Sequence, residues 1–197
     1  MAIVVEHDKR KHEILEKALD VFTEEGYEDV TFQKIADRCG ITRTTLYIYF
    51  KNKREIFLWS IKQMMGGLEK ELITLCADKS LSSAQTLKNV LSAVMDCSEK
   101  NKQLFGVVLD YLLQVKKAGG NPEEKVTRRV IHLRHMLSSI VIRGINSGEF
   151  KKISVKYVNE LFYSILESAI FKLAVLNQDS LSETRIILKL AIDSLKA

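Results

Sequence analysis

Proline occurs once, at Pro122, and glycine nine times in 197 residues. A β-sandwich or β-barrel needs many Gly/Pro turns, and this chain cannot supply them. Cysteine is scarce too: Cys39, Cys76 and Cys97 make an odd number with no close spacing. That excludes a disulfide framework and a zinc ribbon, and reduced thiols in a cytoplasmic protein are expected. No apolar run approaches the roughly 18 residues that a membrane-spanning helix needs. Asp110, Glu167 and Lys172 interrupt the longest apolar stretches. The opening residues MAIVVEHDKRKHE turn charged after a few apolar positions, so no signal peptide is expected. No sign of charge dominates either. A net charge of +5 with 46% apolar residues excludes disorder as the main state.

What is present reads as all-helical, with about nine helices. Apolar residues recur at steps of three and four from Asp8 to Glu25, where Gly26 offers a left-handed stop. Thr31 precedes a short second helix that ends at Cys39-Gly40, and Thr42 precedes a third that runs to about Phe50. Asn52 and Glu55 form a capping box for a fourth helix, which contains Gly66-Gly67. Asn121, Pro122 and Glu124 open helix seven; helix eight spans about Ser154 to Leu176. Ser180 and Glu183 are expected to cap helix nine. The expected organisation is an N-terminal domain over 1–52 and a larger helical domain over 53–197.

Charge is distributed unevenly. Residues 1–60 carry a net −1 and residues 61–197 a net +6. Between residues 30 and 55, however, Lys34, Arg38, Arg43, Lys51, Lys53 and Arg54 face only Asp37 and Glu55. An acidic group, Glu24, Glu25, Glu28 and Asp29, lies just before them. Local polarity of this kind matters more for a phosphate contact than the total. In the same window Ala36 permits close helix approach and Gly40 takes the turn. Ile35, Cys39, Ile41 and Leu46 form a small core that fixes the crossing angle. This is what a helix-turn-helix requires, and it leaves the second helix able to enter a major groove.

The stretch TFQKIADRCGITRTTLYIYFKNKREIF resembles the N-terminal helix-turn-helix of the tetracycline-repressor (TetR) family. The matching residues are Thr31, Ile35-Ala36, Gly40, Thr45-Leu46-Tyr47, Tyr49-Phe50 and Lys53. Thr44 departs from the glycine common at its position. The resemblance covers about residues 8 to 56; the remainder matches in length and helix order. It implies a homodimeric transcriptional regulator, a repressor, bound to a palindromic operator in double-stranded DNA and released by a small-molecule effector. It further implies a ligand-binding and dimerisation role for the C-terminal domain. In this reading Arg43 and Thr44 reach base edges. Thr31, Gln33, Thr42, Thr45, Tyr47, Tyr49, Lys51 and Lys53 complete the DNA-binding set, most of them on phosphates, with Arg10 a further basic candidate.

The C-terminal part carries weaker signals. Trp59, Met95, Phe105, Asp110, Tyr111 and Met136 are candidates for a ligand pocket. Asp110 would anchor a cationic group there, although such a carboxylate commonly pairs with Arg or Lys. His132 and His135 share a helical face but lack a third metal ligand, so no metal or other cofactor is expected. Helix eight is apolar on more than one face, which predicts a dimer built from helices eight and nine, with Phe162, Ile165, Ala169 and Leu173 at its interface. Two other readings compete: an all-helical sensor or adaptor without DNA binding, suggested by the acidic group, and a helical enzyme. Metalloprotease, nucleophile-elbow and phosphate-loop motifs are all missing, so no enzyme is expected.

Overall fold

The computed structural model describes residues 2–197, with side chains for residues 6–122 and 131–197. Nine α-helices follow one another among the described residues. They are α1 (Ala2–Asp29), α2 (Phe32–Cys39), α3 (Arg43–Tyr49), α4 (Lys53–Ala77), α5 (Ser83–Lys100), α6 (Lys102–Lys117), α7 (Pro122–Asn146), α8 (Val155–Ala174) and α9 (Ser182–Leu195). None is long and apolar enough to cross a membrane. The chain divides into two compact units, Met1–Glu69 and Lys70–Ala197. The boundary expected at residue 52 falls instead inside α4. The reason lies in the first half of α4, where Ile56, Phe57 and Ser60 are buried within the N-terminal unit.

In that unit, α1 packs on α2 and α2 on α3. Ile14, Ala18, Val21 and Phe22 of α1 are buried. The Phe57 ring of α4 meets Phe22 edge-on with centroids 4.9 Å apart, and Ser60 Oγ donates to the Leu15 carbonyl at 2.9 Å. Gly26 does break α1, but not in the left-handed helical conformation expected of a stop. Its φ of 81° and ψ of 163° fall in a region essentially reserved for glycine, and helical hydrogen bonding resumes to Asp29. Thr31 Oγ accepts from the Lys34 N–H at 3.2 Å and Thr42 Oγ from the Thr45 N–H at 3.1 Å, the two caps anticipated. Asn52 caps α4 through the Glu55 N–H, while the Glu55 carboxylate accepts from the Lys51 N–H rather than from Asn52. The helix then runs unbroken through Gly66 and Gly67. Added methyl groups at either glycine would meet nothing within 4 Å. Those glycines therefore serve no close packing in this structure, and the helix shows no break at them.

In the C-terminal unit α5 is central, packing against α6, α7, α8 and α9. Its Leu87, Val90, Leu91 and Met95 are almost wholly inaccessible. Gly144 lies flush against Phe150, where a Cβ would collide with the ring. Glu149 reaches the start of α5 and accepts the Ser83 and Ala84 N–H groups at 2.7 and 2.8 Å. Those donors have no partner within the helix, and the carboxylate also complements the helix dipole. Helix α9 begins without a side-chain cap of its own. Ser180 Oγ instead accepts from Ser182, and Glu99 of α5 accepts from the Leu181 N–H at 2.7 Å. The proposed Ser180–Glu183 box is thus replaced by a carboxylate from a distant helix, which local sequence spacing could not reveal. Glu124 lies outside the described side chains.

Candidate nucleic-acid interface

Helix α3 is seven residues long, and its two faces differ sharply. Leu46 is fully buried against the helices beneath it. Arg43, Thr44, Tyr47 and Ile48 form the exposed face. The turn before α3 is held by Gly40, with φ 66° and ψ 36°, whose N–H donates to Asp37 while Ile41 donates to the Ala36 carbonyl at 3.0 Å. This double closure ends α2 and aims α3 away from it. Ala36 and Ile35 are fully buried at the crossing. The local sequence thus positions α3 with little freedom.

The face itself is partly preorganised. Tyr47 stacks on Phe32 with centroids 4.4 Å apart. Its hydroxyl accepts from Arg43 Nη2 at 3.2 Å, and the guanidinium lies 5.7 Å from the ring centre. Phe32, Tyr47 and Arg43 therefore form a chain that holds the cation at the exposed start of α3. Thr42 and Thr45 share a hydroxyl contact of 2.8 Å. Thr31 and Gln33 are exposed at the start of α2, with Gln33 Nε2 donating to Asp37 at 2.7 Å. Tyr49 is half-buried and stacks on His7 of α1 at 4.7 Å. Thr44 is exposed, as is the Lys51 side chain. Arg10 donates to Glu13 at 3.0 Å.

Lys53 differs from its expected role. Its ammonium donates to the carbonyls of Glu28 and Val30 at 2.8 and 2.9 Å and lies 4.8 Å from the Tyr27 ring centre. Two of its three donors are thereby used to tie α4 to the end of α1. Half of the acidic group is paired within the unit. Arg38 binds Glu24 with both terminal nitrogens, and Lys34 donates to Glu25 at 2.5 Å. The hydrogen bonds from Arg38 hold the Glu24 carboxyl below its ordinary value. Glu24 and Glu25 thus pair with cations of α2, leaving Arg43 and Lys51 nearer to α3 outside those pairs.

The pocket candidates differ in their surroundings. Trp59 belongs to the N-terminal unit, is 40% exposed, and lies beneath Lys62 and Lys11, whose ammoniums are 4.3 and 5.0 Å from its ring. Asp110 is exposed and so anchors nothing in a core. Met95 and Tyr111 are buried in the packing of the C-terminal unit, while Phe105 and Met136 are half-buried. Sequence periodicity places all of them on helices but cannot say which way each helix turns. The dimer candidates need a similar correction. Phe162, Ala169 and Leu173 are at most 2% exposed and face the core of their own unit; Ile165 is half-buried. The outward apolar residues are Tyr157, Leu161 and Phe171 of α8 with Ile186, Ile187 and Leu190 of α9. His132 and His135 are exposed, and no group of three metal-ligating side chains occurs among the described residues. Cys39 is buried and Cys97 half-buried; burial pushes both thiols up.

Ile48 escapes a reading of the sequence because an isoleucine is usually assigned to a core. Its spacing of four from Thr44 was the available signal.

Residues 14–58, which contain this whole arrangement, match the family described as bacterial regulatory proteins, tetR family. A fatty acid metabolism regulator protein of Bacillus subtilis is 24% identical over 80% of this chain and 80% of its own. A TetR transcription regulator from Haloarcula marismortui superposes with a TM-score of 0.85 at 17% identity, covering 96% of this chain and all of that one. The Bacillus subtilis transcriptional regulator FadR in complex with stearoyl-CoA gives a TM-score of 0.74 at 22% identity, covering 93% and 98%. A buried crossing, a glycine turn and an exposed α3 coincide with the matched segment, so residues 14–58 carry a helix-turn-helix of the kind described by the tetR family of bacterial regulatory proteins.

Proposed function

We propose that this chain is a homodimeric repressor that holds a palindromic operator through α3 and is released by a small-molecule effector bound in the C-terminal unit. The observation that carries the reading is the α3 face, where Arg43 is braced by Tyr47 over a buried Leu46. In this reading Arg43 and Thr44 reach base edges. Thr31, Gln33, Thr42, Thr45, Tyr49 and Lys51 contact the backbone, and Tyr47 has both a phosphate-facing and a bracing role. Side chains that donate from a helix start suit phosphate oxygens, and a held guanidinium suits the two acceptors of guanine. The pairing of Glu24 and Glu25 with Arg38 and Lys34 supports DNA binding over an adaptor that lacks it.

The relatives support the effector. One is named for fatty acid metabolism, and the FadR structure holds stearoyl-CoA. A long-chain acyl thioester is therefore the first effector class to test. Helix α4 is continuous from one unit into the other and is the element along which the two sites communicate. A cytoplasmic site of action follows from a chromosomal target.

The test selects binding sites from a random duplex library with the full chain, then follows the enriched duplex by fluorescence anisotropy. Binding that steepens as salt falls, together with release by stearoyl-CoA, is expected. A library without enrichment overturns the repressor reading. Enrichment without release by stearoyl-CoA overturns the acyl thioester alone.

A further inference from the structure

On the exposed face of α3, three side chains can donate or accept a hydrogen bond and one cannot. Ile48 is 70% exposed, more than Tyr47 at 49% and more than any other large apolar residue among those described in the N-terminal unit. It follows Thr44 by four positions, which places the two about 40° apart around the helix axis. The buried Leu46 lies on the opposite side. Ile48 therefore lies beside Thr44 and nearly opposite the buried Leu46, at the edge of the exposed face away from the braced Arg43–Tyr47 pair.

The side chain has no packing explanation. Leu46, Phe50 and Ile35 supply the core beneath α3, and all three are at most 1% exposed. A hydrocarbon at this point offers nothing to a phosphate oxygen or to the polar edge of a base. One group in the major groove is apolar, the 5-methyl of thymine. We propose that Ile48 is a specificity-determining residue that packs on a thymine methyl in the operator, selecting T·A at one position of each half-site. This inference rests on the DNA-binding reading and extends it to a residue that makes no hydrogen bond. The physics is removal of two apolar surfaces from water, so discrimination comes from the methyl alone.

Deoxyuridine separates that methyl from everything else, since it keeps every polar edge of thymine. Each thymine of the selected duplex is replaced singly by deoxyuridine and the affinity of the full chain is measured by anisotropy. One thymine per half-site should lose affinity by about threefold to fourfold, the size expected for one buried methyl. In Ile48→Ala that loss should vanish while replacements elsewhere behave as in the parent. Ile48→Val should retain part of it. Because Ile48 is exposed, thermal melting of both variants should match the parent. A flat deoxyuridine scan in the parent, or an undiminished loss in Ile48→Ala, overturns the proposal. So does complete loss of binding by a folded Ile48→Ala, which would make Ile48 a general anchor. A library that enriches no duplex overturns the DNA-binding reading itself, a result distinct from a flat scan.

Discussion

Arg43 and Lys53 are both cations of the DNA-binding segment, yet their surroundings assign them different work. Arg43 is exposed at the start of α3 and braced by one hydroxyl and one ring. Lys53 spends its ammonium on two carbonyls of the chain that closes α1. Arg43→Ala should leave melting unchanged and cost ~1–3 kcal/mol of DNA affinity, with preference relaxed at one base position. A uniform loss across all duplexes would remove it from base readout. Lys53→Met keeps the stem and deletes the charge. It should lower stability by about 1 kcal/mol, since charge-assisted hydrogen bonds are worth somewhat more when buried and Lys53 is only half so. Unchanged urea denaturation would return Lys53 to a phosphate role alone. Residue type and spacing were enough to place the two threonine caps and to put Arg43 and Thr44 on an exposed helix start. They could not show where a four-carbon side chain such as that of Lys53 folds, because its partners are backbone atoms distant in sequence.

At the scale of the helices, the glycines separate into two kinds. Gly26 has a backbone conformation that an L side chain adopts only under strain. Gly66 and Gly67 are helical, with open space where a Cβ would project. Gly26→Ala should therefore cost ~1–3 kcal/mol. Gly66→Ala and Gly67→Ala should each stabilise α4 by up to ~1 kcal/mol, through the higher helix propensity of alanine. Chemical denaturation of the three variants checks both signs. If α4 carries the effector signal, the double alanine variant should also keep its operator affinity while its release by stearoyl-CoA weakens. An unchanged release curve would place the coupling elsewhere. Helix positions were legible in the sequence through periodicity, caps and turns. The start of α9 was not, because Glu99 caps it from a helix some eighty residues earlier.

For the whole molecule, the outward apolar residues of α8 and α9 set the expected assembly. Tyr157 is 70% exposed, and Leu190 and Ile186 exceed 60%. The proposed homodimer is expected to bury these faces in a two-fold interface. Leu161→Asp with Leu190→Asp should give a folded monomer by light scattering, because neither side chain supports the core. Phe162→Ala should instead destabilise the fold by ~3–5 kcal/mol, as large buried aromatics do. A dimer that survives the aspartate pair would reject this face. Acid should act through Glu149. Burial alone would raise its carboxyl, but hydrogen bonds from Ala84, Ser83 and Ser82 outweigh this and hold it low. Its stabilisation is thus complete above the ordinary glutamate value of about 4.3 and is lost as pH falls through the lower folded value. Glu149→Gln should flatten that acid limb in thermal melts between about pH 3 and 6. An unchanged limb would show that other carboxylates govern it.

Much was decided by the chain alone. One proline, nine glycines and apolar residues at helical spacing leave no alternative to a bundle of helices. The run from Thr31 to Lys53 specifies its turn chemistry locally, because caps, a left-handed glycine and a small alanine act within a few residues of one another. Tertiary structure decided which face of each helix is inward. Periodicity marks a stripe on α8, but only the packing of α7, α6 and α5 around it shows that Phe162, Ala169 and Leu173 point to the core and Tyr157, Leu161 and Phe171 point away. The physical reason is that burial is a property of neighbours distant in sequence. A helix with apolar residues on two faces satisfies either orientation until those neighbours are in place.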